Sequence, residues 1–223
     1  MKRLLLACLL VLSLSLWIWA TPGLGQASGA AALGSLQGLS INLPVEPLKQ
    51  LKITSCGEAV IAMAHQYAYP QAGIGEREIL TYAEMMGYYT EKKWPFTSPA
   101  NMVKITKHYT RDFSSGTVSG SNQGLELLAR ELQKGHPVMI DILTRLDEPR
   151  SGAHFVLVTG ISVAADNKYA ITIYYNEPLT GKNKSAPWYG DGGLWNAWRN
   201  NGDPGGSGWW LSIQPPAAPA NSS

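Results

Sequence analysis

Beyond Gly135 the chain changes character, and this limits the fold more than any other feature of the sequence. Three segments rich in β-branched and aromatic residues follow one another, 137–143 (PVMIDIL), 154–161 (HFVLVTGI) and 169–176 (YAITIYYN), and each reads as a strand. Before them the chain reads as helices over about 56–68, 76–86, 99–109 and 123–134. Gly135 suits the C-cap of the fourth, and Leu125, Leu127, Leu128 and Leu132 form its buried stripe. Helices first and strands afterwards predict an α+β domain with antiparallel strands. The link Ala164-Ala165-Asp166-Asn167 supports a hairpin between the last two of these strands.

The length of 223 residues accommodates one medium domain with one substantial core. With 45% hydrophobic and 15% charged residues, the chain is not mainly disordered. Two cysteines cannot staple a scaffold of this size. The formal charge of +2 comes from Lys2 and Arg3, the only charges before Glu46. A neutral body without a basic stripe argues against nucleic acid as a partner.

Lys2-Arg3 followed by the apolar run 4–20 has the form of a secretory signal peptide, which places the protein outside the cytoplasm, in the cell envelope or secreted. Retention of this segment as an anchor is the alternative, and the one route to a membrane. Residues 21–42 are Gly, Ala, Ser and Leu without charge and read as a flexible linker. The tail 215–223 reads as disordered. The folded unit is expected over 43–214.

Removal of the signal takes Cys8 with it and leaves Cys56 as the one thiol. Such a cysteine is buried, paired between chains or used chemically. Ser55 and Glu58 have the spacing of a capping box, which makes Cys56 the first residue of a helix. There the helix dipole favours a thiolate, and free backbone N–H groups can receive an oxyanion.

A turn centred on Ala165 would set His154 opposite Asn176, with Cβ atoms about 5 Å apart. The amide could then hold one imidazole nitrogen and leave the other to take a thiol proton. A register error of one residue would place the two on opposite faces. His65, His108 and His136 read as packed, surface and turn residues. No H-x-x-H or C-x-x-C pair suggests a metal. Of the eight tryptophans, five lie between Trp188 and Trp210 and read as packing around a short helix and a final strand. The Gly-rich stretch 201–208 is a loop without the Lys-Ser/Thr of a phosphate-binding motif.

Taken together these segments resemble the papain-like cysteine peptidases, most closely the C39-like branch. Gln50 through Gly57 resembles the family's Gln-x5-Cys-Gly segment, and Gly135-His136-Pro137-Val138 its Gly-x-Pro-Val lead into the first strand. The stretch 151–160 resembles its Gly-His strand, and 175–181 its Asp-Pro-x-x-Gly turn. The resemblance implies a papain-like fold, a helical lobe and a β lobe with the active site between. It implies Cys56 as nucleophile, His154 as base, Asn176 in place of the usual aspartate, and Gln50 with the Cys56 N–H as oxyanion hole. The substrate would be a peptide or protein and no cofactor is implied. An acyl transferase, in which an amine replaces water, and a catalytically silent binding module remain alternatives. Export means that cleavage of double-glycine leaders, the activity of transporter-fused relatives, does not carry over.

Overall fold

The computed structural model of the protein describes residues 34–214. The expected signal segment and the tail from residue 215 lie outside them. The elements in chain order are β1 (Ser40–Asn42), α1 (Cys56–Ala68), α2 (Glu76–Met85), α3 (Pro99–Tyr109), β2 (Phe113–Thr117), α4 (Ser121–Gln133), β3 (Val138–Leu143), β4 (Ala153–Val163), β5 (Ile171–Glu177), β6 (Lys182–Pro187), α5 (Leu194–Arg199) and β7 (Trp209–Ile213). Among the described residues, no helix is long and apolar enough to cross a membrane.

The strands form one antiparallel sheet in the order β2-β7-β3-β4-β5-β6, and β1 pairs with β4 alongside Gly160–Ser162. All six residues of β3 are buried, which requires cover on both faces of the sheet. Alternation along the strands divides the core accordingly. Val138, Ile140, Val156 and Val158 pack with Leu125, Leu128 and Leu132 of α4 and Trp198 of α5. Met139, Leu157, Leu211 and Ile213 pack with Ile61, Ile79 and Ile105 of α1 to α3. The stripe expected on α4 is therefore present, but it lies on the face opposite α1 to α3 instead of joining them. Helical periodicity reveals that a face is buried and is silent about which surface buries it.

Trp188 and Trp198 are fully buried, and Trp195 completes a cluster with ring centroids 5.7 to 6.3 Å apart. These rings fill the core between α4, α5 and the sheet, the packing role read from the sequence. Residues expected in the linker enter the fold as well: Leu36 is buried in the core and 40–42 form β1. The segment is short and nearly apolar, so composition alone gave no sign that the side of β4 would accept it.

The β4–β5 hairpin departs from its expected register. Ala164 N donates to Ala170 O at 3.0 Å, so the connection is longer than 164–167 and β5 begins at Ile171. An irregularity between Val158 and Gly160 adds a further shift, and Asn176 pairs with Leu157 instead of His154. The displacement is an odd number of positions, which turns Asn176 away from the face expected for it.

Candidate active site

Cys56 is half-buried at the start of α1, in a turn held by a carboxylate from the next helix. Glu76 accepts from Leu51 N at 2.9 and 3.0 Å and from Ser55 Oγ at 2.6 Å. Ser55 Oγ in turn accepts from Lys52 N at 3.0 Å. Ser55 occupies the N-cap position, but its hydroxyl is committed to Glu76 and makes no cap bond. The expected capping box is absent because Glu58 turns inward, where it accepts from Thr97 Oγ1 at 2.7 Å. With no side chain capping α1, its first N–H groups remain available beside the sulfur.

Gln50 is buried, and its backbone N–H donates to Pro178 O at 2.8 Å, fastening the turn before α1 to the turn after β5. Its side chain donates from Nε2 to Lys52 O at 2.7 Å. An amide carries two such hydrogens, so one remains for another acceptor.

His154, the second residue of β4, is buried, and the Cys56 thiol is near enough to act on its imidazole pKa. Its Nε2 lies 2.7 Å from Glu177 Oε1, which leaves Nδ1 for the thiol. Burial alone would lower the imidazole pKa, but the Cys56 sulfur and the Glu177 carboxylate together raise it to about 9. Burial likewise acts to raise Glu177, and hydrogen bonds from His154, Lys184 and Leu179 N outweigh it and bring the carboxyl down to about 2. Lys184 Nζ is 3.0 Å from Oε2, and Leu179 N donates to Oε1 at 2.8 Å.

Asn176 does not join this group. Its Nδ2 donates to Val45 O at 2.8 Å and its Oδ1 accepts from Asn183 at 3.1 Å, fully buried, so its role is to hold the 42–45 segment against the hairpin. The partner of His154 is the next residue, Glu177. The sequence held a signal for it: in the Asp-Pro-x-x-Gly pattern the acid directly precedes the proline, and Glu177 directly precedes Pro178.

Elsewhere, His65 is buried among Tyr69 and Tyr109 with its pKa lowered by burial. His108 stacks on Tyr82, and His136 Nδ1 lies 3.2 Å from Glu131. Among the described residues no group of three or more His, Cys, Asp or Glu side chains could hold a metal ion.

The sequence model of the Peptidase C39-like family matches residues 42–205. The chain belongs to this family. Among solved structures, one from Bacillus anthracis described as a C39-like peptidase aligns with a TM-score of 0.57 at 14% identity, over 78% of this chain and 97% of that one. At that identity the likeness establishes the shared C39-like peptidase fold. No curated protein matches the chain in sequence.

In this C39-like domain a small pocket of about 20 Å³ opens beside Cys56, with Trp94, Phe96, Thr97, Phe155 and Asp203 in its walls. Gly57 lets α1 approach this wall, since a Cβ there would lie 2.7 Å from the Met102 sulfur and 3.4 Å from the Phe155 ring. Glu58 lies behind the cavity, fully buried, with Oε2 lacking any hydrogen-bond partner. Burial raises its pKa from 4.5 to about 7. A carboxyl that holds its proton more tightly when folded makes stability fall as pH rises from about 4.5 to about 7. The penalty is complete above that window and amounts to ~3 kcal/mol. Urea unfolding at pH 5 and pH 8 is expected to show this loss, and Glu58→Gln should flatten it. An equal loss in the variant would assign the effect to another group.

Proposed function

We propose that the chain is an exported cysteine peptidase of papain-like arrangement, working through Cys56, His154 and Glu177. The observation that carries this reading is the buried His154, 2.7 Å from the Glu177 carboxylate and close enough to the Cys56 thiol for that group to raise its pKa. Proton transfer from Cys56 to His154 gives a thiolate–imidazolium pair. Glu177 orients the ring and favours its charged form, the part a carboxylate plays for histidine in hydrolytic triads.

The thiolate adds to the substrate carbonyl, forming a carbon–sulfur bond and an oxyanion. The N–H groups at the start of α1 and the free Nε2 hydrogen of Gln50 are the donors proposed to receive that charge. Collapse of the intermediate breaks the carbon–nitrogen bond, and His154 gives its proton to the departing amine. Water, losing a proton to His154, then cleaves the thioester and restores the thiol. Export rests on the Lys2-Arg3 and 4–20 pattern.

Two measurements test the reading. Iodoacetamide applied to the native protein should modify Cys56 and abolish hydrolysis of a casein-derived peptide pool in parallel, and His154→Ala should lose both reactivities. The leaving amine needs the imidazolium, which is present below about pH 9 and lost above it. The alkaline limb of kcat/KM is therefore expected near that pH. Hydrolysis that survives complete alkylation of Cys56 would refute the proposal.

A further inference from the structure

The carboxylate that holds His154 is itself held from β6, an edge strand whose sequence KNKSAP carries two lysines. In the pairing of β5 with β6, Glu177 lies opposite Lys182 and Tyr175 opposite Lys184. Residues two apart on a strand share a face, so both lysines stand on the Glu177 side of the ladder. Lys184, at the diagonal position, is the one whose ammonium reaches the carboxylate, with Nζ 3.0 Å from Oε2. Among the described residues the ion-pair partners of Glu177 are His154 and Lys184. The other titratable groups around it are Tyr175, buried on its own strand, exposed Lys182 on β6, and exposed Lys49, whose backbone lies close to Gly181 in the turn after β5. Beyond His154 stands the Cys56 thiol.

The two oxygens of Glu177 have separate partners. Oε1 accepts from Leu179 N at 2.8 Å and lies 2.7 Å from His154 Nε2, while Oε2 accepts from Lys184. The last torsion of a glutamate is soft. A partner on each oxygen fixes the carboxylate plane in front of the ring. Charge matters as well, because Glu177 is buried and burial works against its ionisation. His154 opposes that effect only while it carries its proton, which it surrenders to the leaving amine in each cycle. Lys184 takes no part in that exchange, so its charge remains beside Glu177 when the imidazole is neutral. Its side chain is 44% exposed, and an ion pair so open to water adds little to folding stability.

We propose that Lys184 is a positioning residue of this site: its ammonium fixes the second oxygen of Glu177 and keeps that carboxylate charged at the stage when His154 is neutral. The role in turnover rests on the peptidase reading above, whereas the grip on Glu177 does not.

Lys184→Met, which keeps most of the stem and removes the charge, supplies the test. Two profiles against pH are measured, the rate of Cys56 alkylation by iodoacetamide and kcat/KM on a peptide substrate. Without the ammonium Glu177 takes up its proton at higher pH, and a protonated carboxyl no longer favours the imidazolium that accompanies the thiolate. The acid limb of both profiles should therefore move to higher pH by about one unit or more. At neutral pH kcat should fall about tenfold with KM nearly unchanged, from looser placement of the ring. The alkaline limb should not move to lower pH, since Glu177 is ionised there in either protein, and this separates the loss of Lys184 from the loss of Glu177. Lys184→Arg restores a cation and should return the acid limb toward its native position. Should Lys184→Met fail to fold, Lys184→Gln carries the same comparison. An acid limb that stays in place in the neutral variant, or that shifts equally in Lys184→Arg, overturns the inference. If Cys56 of the native protein is alkylated but no peptide is hydrolysed, the peptidase reading falls and the alkylation profile alone decides the role of Lys184.

Discussion

Cys56→Ala is expected to lower peptide hydrolysis by at least about 10⁴-fold, because removing the nucleophile of a covalent mechanism removes the pathway itself and leaves only binding and oxyanion stabilisation. The fold should survive the change. The thiol is half-buried and free of any disulfide, and a small truncation at such a site costs about 1 kcal/mol. The measurement is kcat/KM on a peptide substrate together with a urea unfolding curve of the same preparation. Retained activity would exclude Cys56 as the nucleophile, whereas lost activity with lost folding would be answered by Cys56→Ser, which keeps nearly the same volume.

Glu177→Gln is the second change with a large expected effect. The amide can still meet His154 but presents no negative charge to an imidazolium, and the corresponding loss in a hydrolytic triad is of order 10³ to 10⁴ in turnover. A factor of 10³ corresponds to about 4 kcal/mol in the barrier. The pH profile should change as well. Glu177 is one of the groups that hold His154 at about 9, so the alkaline limb should move to lower pH in the variant. Asn176→Ala provides the contrast. That side chain satisfies Val45 O deep in the core, and its loss should cost about 1–3 kcal/mol of stability through the unpaired carbonyl without moving the alkaline limb. The opposite pattern, a shifted limb in the Asn176 variant and none in the Glu177 variant, would return the third role to Asn176.

Much of this was legible from the chain itself. The four long helices carry strong signals: Ser98 and Pro99 at the start of α3, Gly135 after α4, and apolar runs of helical length in α1 and α4. Strands β3, β4 and β5 are dense in Val, Ile and Tyr because both faces of the sheet are covered. By contrast β2 (FSSGT) and β6 (KNKSAP) are polar and lie at the edges of the sheet, where their backbone hydrogen bonds leave no trace in side-chain pattern. Cys56 and His154 could be found because helix onset and strand onset are local properties. The third partner could not be fixed by the hairpin, because a longer connection and one irregular pairing reverse the direction of a side chain. Lys184 escaped for a different reason. It lies on β6, one of those polar edge strands, and only the pairing of that strand with β5 brings it to Glu177.

The two halves of the proposed proton relay have unequal mechanical independence. His154 and Glu177 stand on adjacent strands of one sheet, β4 and β5, just past the last pair of their ladder at Leu157–Asn176, and are joined directly by the 2.7 Å contact. The sulfur is brought to the ring by the packing of α1 against β4, where Gly57 lies close to Phe155, and by the backbone bond from Gln50 N to Pro178 O. In the proposed mechanism, competence is thus a property of a seam between layers, and loosening of that seam would separate the proposed nucleophile from its base while the sheet itself stays intact.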